Sequence, residues 1–98
     1  MWFKKKIHEL VFKDEQENEK DFLIEYYLIK EHREDLYFHT DIVFGILLEK
    51  RCKNSEIIEI SSVLNISPDK SRILELIDWI VQHSVTTTGL EETIHAML

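Results

Sequence analysis

The hydrophobic period of this chain switches from two to 3.6 at Ile66-Ser67-Pro68-Asp69, and no other feature restricts the possible folds as much. The tetrapeptide supplies an N-cap serine, a proline at the first helical position and an acid in the first turn. Beyond it, Ile73, Leu76, Ile77, Ile80 and Val81 fall on one helical stripe. Asp69, Lys70, Arg72, Glu75, Asp78 and Gln82 lie mostly on the other side. His83 suits the negative pole of that helix. A second helix follows: Thr88-Gly89-Leu90-Glu91 has the form of a capping box, and Leu90, Ile94, Met97 and Leu98 share an apolar face. The helices are expected at about 68–83 and 88–97.

Upstream of the switch the chain reads as strands. Segment 22–30 is dense in β-branched and aromatic residues. Phe22, Ile24, Tyr26 and Leu28 form one face; Leu23, Glu25, Tyr27 and Ile29 form a second that is more apolar than a solvent face requires. Segment 36–50 places Leu36, Phe38, Ile42, Phe44, Ile46 and Leu48 on one side. Tyr37, His39, Asp41, Val43, Gly45, Leu47 and Glu49 lie on the other. The polar run 31–35 reads as a hairpin turn, 14–21 as a loop and 51–55 as a turn. Weaker strands flank the pair at 5–13 and 56–63. The expectation is an antiparallel meander of about four strands over about residues 5–63, with two C-terminal helices on one face. That is a two-layer α+β domain.

A chain of 98 residues has room for one core, so residues 1–98 are expected to form a single domain. At this size burial and conformational entropy nearly cancel, so self-association would help. The apolar second face at Leu23, Tyr27 and Ile29 is the place to look for it. The formal net charge of -7 argues against non-specific binding to nucleic acid or to an anionic membrane. That charge is uneven: residues 1–13 carry +3, 14–35 carry -6, 36–54 carry +1 and 55–98 carry -5. The basic start and the acidic stretch after it suit neighbouring strands. An acidic face docking a basic partner is the alternative, and a plain solvated face is the simpler account. Residues 7–12 are too short and polar for the apolar part of a leader, and the apolar run 42–48 is far short of a membrane span. A cytoplasmic location is therefore expected. The single Cys52 excludes an intramolecular disulfide.

A set of short motifs, in fixed order, points further. Tyr26 and Leu28 are followed by Phe44-Gly45-Ile46, then by Ile66-Ser67-x-Asp69, then by Val85-Thr86 and Leu90. In this order and spacing the chain, over residues 22–98, resembles a family of small bacterial proteins classed as a domain of unknown function. It departs from that pattern at Phe44, where the family usually shows Tyr, and at Thr87, where it shows Pro. The resemblance supports the α+β reading and implies no activity, cofactor or site residue.

Residues that could carry chemistry are few. The five histidines show neither a His-Glu-x-x-His motif nor i, i+4 spacing on a helix. His32, His39 and Asp41 could come together across a hairpin as zinc ligands, although solvent-facing polar residues on a sheet are the simpler reading. Cys52, in its expected turn, reads as an incidental thiol. Gly45 within a strand implies close packing there, by a helix or by Tyr26 or Tyr27, with a ligand approaching the backbone as the alternative. Trp79 either closes the core edge or anchors a partner. Trp2-Phe3-Lys4-Lys5-Lys6 reads as an edge strand protected by lysines, and membrane contact is its alternative. Glu91 and Glu92 give the last helix the wrong sign for DNA. The sequence therefore points to a non-catalytic protein-interaction or regulatory module that needs no cofactor and works with a protein partner or with itself as a homodimer. A small ligand- or metal-binding domain is the second reading. Neither nucleic acid nor a stable membrane association is expected.

Overall fold

A computed structural model describes residues 2–12, 21–32, 42–52 and 56–98. Four strands, β1 (Trp2–Phe12), β2 (Phe22–His32), β3 (Ile42–Cys52) and β4 (Ile57–Ser67), are followed by helices α1 (Lys70–Gln82) and α2 (Leu90–Met97). The strands form one antiparallel sheet in the order β1-β2-β3-β4. The α+β meander with two terminal helices is therefore the fold. Its sheet is longer than expected, running from Trp2 to Ser67 rather than over about 5–63. Glu31, His32, Arg51 and Cys52, expected in turns, are paired strand residues. Residues 13–20, 33–41 and 53–55, to which the sequence assigned the end of the first strand, a loop, turns and the start of the third strand, lie outside the described residues.

Alternation sends every second strand residue toward the helices. Ile24, Tyr26, Leu28, Phe44, Ile46 and Leu48 meet Ile73, Leu76, Ile77 and Ile80 of α1 and Leu90 and Ile94 of α2 in one buried cluster. The Tyr26 hydroxyl crosses that layer and donates to the Val85 carbonyl at 2.7 Å, which ties the α1–α2 connection to the sheet. Burial pushes the Tyr26 phenol up to about 12. Leu98, expected on the apolar face of α2, is exposed.

Both helix starts differ from the sequence reading, for local reasons. Ser67 still pairs with Phe44 at the end of β4, so the chain cannot enter a helix there. Asp69 is the N-cap instead, and its carboxylate accepts from the amides of Ser71 at 3.0 Å and Arg72 at 3.4 Å. The Ser67 hydroxyl accepts from the Asp69 amide at 3.1 Å, bracing the cap residue itself. At α2 the N-cap is Gly89, with no side-chain cap bond. The Thr88 hydroxyl lies 3.1 Å from that of Thr86, so the anticipated capping box does not form.

Gly45 is explained by backbone rather than by a helix or an aromatic ring. Phe44 pairs with Ser67 and Ile46 with Val63, so Leu64, Asn65 and Ile66 of β4 bulge opposite Gly45. Asn65 takes a left-handed φ of 57° to make the bulge. A Cβ on Gly45 would come within 2.7 Å of the Val63 carbonyl oxygen and 2.9 Å of the Leu64 Cα. Only glycine fits there without displacing β4.

Candidate interaction face of the sheet

Both helices pack on one face of the sheet, and the opposite face has no second layer among the described residues. Yet its middle is buried. Tyr27, Ile29 and Leu47 form a second small cluster, and Glu25 and Glu49 beside them are 7% and 2% exposed. Leu23, the third residue expected there, is partly buried. In the single chain, two of the three apolar residues that the sequence offered for contact are thus already under cover.

Charged side chains supply that cover. The register aligns Glu9 with Glu25 and Glu25 with Glu49, setting three acids side by side on adjacent strands. Like charges in direct opposition are unfavourable, so such a row requires compensation. Lys4 Nζ reaches Glu49 Oε2 at 2.7 Å, and Lys6 Nζ reaches Glu9 Oε2 at 3.2 Å and Glu25 Oε2 at 3.3 Å. Arg51 closes the network, pairing Nε with Glu25 and Nη2 with Glu49 Oε1, the latter at 2.9 Å. Three bases therefore neutralise three acids across three strands. The Tyr27 hydroxyl donates to Glu25 Oε2 at 3.2 Å, and Lys4 Nζ lies 4.6 Å from the centre of the Tyr27 ring.

The protonation tendencies follow from these contacts. Burial pushes the Glu49 carboxyl up, but Lys4 and Arg51 outweigh it and hold the group below the usual carboxylate range. Hydrogen bonds to Glu9 and Glu25 raise Lys6, and the bond to Glu25 raises Arg51. Burial, reinforced by Glu25, raises Tyr27. No buried side-chain polar atom among the described residues is without a partner.

Around this neutral centre the open face is apolar. Register places Trp2, Val11, Ile57 and Ile60 on it, and all four are exposed, Val11 by 65% and Ile60 by 55%. The basic-aromatic start is part of this arrangement. Its Lys4 and Lys6 are occupied by carboxylates, as a charge-protected edge strand requires. The sequence suggested that the basic start pairs with acidic neighbours. It does, but the acids are Glu25 and Glu49, embedded in apolar strands.

The remaining candidates lie apart. His32 ends β2 with its ring 6.3 Å from that of Phe3, edge to face, while His39 and Asp41 lie outside the described residues. Among the described residues no three His, Cys, Asp or Glu side chains group as metal ligands. Cys52 is a partly buried thiol at the end of β3, beside a cleft of about 340 Å³ whose lining includes Val11, Phe22, Leu23 and Arg51. Trp79 is 38% exposed on α1 and stacks on His83 with ring centres 3.8 Å apart. His83 Nδ1 lies 2.8 Å from the Trp79 carbonyl, which can only accept, so that nitrogen carries the proton. The pair caps the end of α1. Among the described residues no helix is long and apolar enough to cross a membrane.

The two arrangements, an apolar helix-covered face and an ion-paired open face, define a small two-layer α+β fold in which, among the described residues, one side of the sheet carries no second layer. The chain belongs to the family of unknown function DUF6514, whose model matches residues 5–98 and so takes in β1 as well as the region 22–98 that carried the motifs. No curated protein and no solved structure matches it.

Proposed function

We propose that this chain is a non-catalytic protein-interaction module that docks protein through the open face of its sheet. The observation that carries the reading is the asymmetry of exposure. Over β2 and β3 the helix side is closed by α1 and α2, with Phe3 exposed at its β1 edge, while Trp2, Val11, Ile57 and Ile60 stay exposed around an ion-paired centre on the other side. Exposed apolar side chains gathered on one face mark an interaction surface. The centre favours docking too. Covering charges that are in water costs desolvation; Glu25 and Glu49 have lost most of their water within the chain, and the half-exposed Lys4 and Lys6 would enter the contact already paired. A reduced Cys52 and the acidic overall charge suit a cytoplasmic protein.

The test is retention of protein, free copies of the chain included, on immobilised wild type, Ile60→Lys and Trp79→Lys. Retention that Ile60→Lys abolishes and Trp79→Lys preserves is expected. Retention indifferent to Ile60→Lys, or lost only with Trp79→Lys, contradicts the reading.

A further inference from the structure

Resting on that reading, we infer that the occupant of the open face is a second copy of this chain, packed sheet to sheet about a two-fold axis. Three observations select it. The first is charge. The chain carries -7, so two copies repel wherever their acidic regions meet. The open face is the exception. Lys4, Lys6 and Arg51 balance Glu9, Glu25 and Glu49 there, and of the described strand residues only Glu31 adds an acid to that side. Contact at this face keeps the acidic helical third of each molecule, with -3 over residues 68–98, turned away from its partner.

The second is self-complementarity. Val11, Leu23, Arg51 and Ile57 lie in one cross-strand row, with an exposed apolar residue at each end. A two-fold axis parallel to the strands sets β1 of one copy across β4 of the other. It brings Val11 toward the partner's Ile57, and the symmetry repeats that contact. Both edges of the face are thereby covered at once.

The third is area. Four strands of 11 residues present a face of about 36 by 19 Å, given ~3.3 Å per residue and ~4.8 Å between strands. Two copies would bury roughly 1,400 Å² in total, within the range of specific, stable interfaces. Sheets packed face to face achieve this contact through side chains alone.

Sedimentation equilibrium over a wide concentration series tests the inference, with Ile60→Lys, Val11→Lys and Trp79→Lys beside the wild type. Wild type and Trp79→Lys are expected to associate as dimers. Ile60→Lys and Val11→Lys should weaken the dimer about thirtyfold or more, because each sets a charge in the apolar contact between β1 and the partner's β4. Circular dichroism and cooperative melting show whether each variant is folded. Val11 is an exposed edge residue whose substitution spares the core, so it decides the matter if Ile60→Lys fails to fold. A wild type that is monomeric throughout overturns the second copy as occupant, as does a dimer that neither lysine weakens. The two readings separate cleanly. A monomer that still retains another protein through Ile60 loses only the second copy, whereas a monomer without such retention loses the interaction module as well.

Discussion

Tyr26 and Tyr27 are adjacent on β2, point to opposite faces and are buried by different means. Tyr26 lies under two helices with its hydroxyl on the Val85 carbonyl. Tyr27 lies under Lys4 with its hydroxyl on Glu25. Leu48 and Glu49 repeat the contrast on β3: both are almost wholly buried, one among isoleucines and the other between Lys4 and Arg51. One face is closed by apolar volume and cannot open without losing the fold. The other is closed by paired charges on flexible stems, which keep it together alone and leave it able to accept a partner.

The neighbouring pair Ile46 and Leu47 breaks this comparison most directly. Ile46→Ala should cost about 3–4 kcal/mol in urea denaturation, because packed helices leave the cavity unfilled. Leu47→Ala should cost only about 1–2 kcal/mol, because long side chains on an open face can settle into the gap. Equal losses would mean that the open face is as rigidly packed as the helical one. Gly45→Ala comes next, at about 2 kcal/mol, since its Cβ meets β4 backbone and not a movable side chain. A neutral effect would show that the bulge at 64–66 shifts freely.

Glu49→Gln is expected to cost about 1–2 kcal/mol at neutral pH by leaving Lys4 and Arg51 under-compensated. Its pH dependence has a definite sign. The folded pKa of Glu49 lies below its unfolded value, so its stabilisation is present above the ordinary carboxylate range. It fades as pH falls through the lower, folded value. The gap between wild type and Glu49→Gln should therefore narrow on acidification, and a gap that widens would refute the assignment. The smallest effects are expected at the hydroxyls. Tyr26→Phe should cost about 1 kcal/mol and Tyr27→Phe less than about 0.5, because the Tyr27 bond is longer and Glu25 keeps Lys6 and Arg51.

The helical face was legible because its signals are local and periodic. Ile73, Leu76, Ile77 and Ile80 announce their stripe within α1, and alternation in β2 and β3 announces theirs. Caps were legible only to within two residues. Ser67 and Asp69 both suit an N-cap, and the pairing of Ser67 with Phe44 decides between them. The open face was largely hidden. Its network joins Lys4, Glu25 and Glu49 across three strands, and nothing local states that register. The available clue was a lone acid inside each apolar strand, facing the side that Lys4 and Lys6 share. Gly45 was legible as a point of close approach. Its partner was not, because the bulge opposite depends on a left-handed Asn65 that sequence pattern does not mark.

The account rests on the open face, and not the helical one, being the docking surface. Oxidative footprinting of the full chain at low and high protein concentration reads this directly, because each face has its own exposed tryptophan. Trp2, on the open face, should become protected as concentration rises, while Trp79 on α1 stays equally reactive. Protection of Trp79 with Trp2 unchanged would contradict the account.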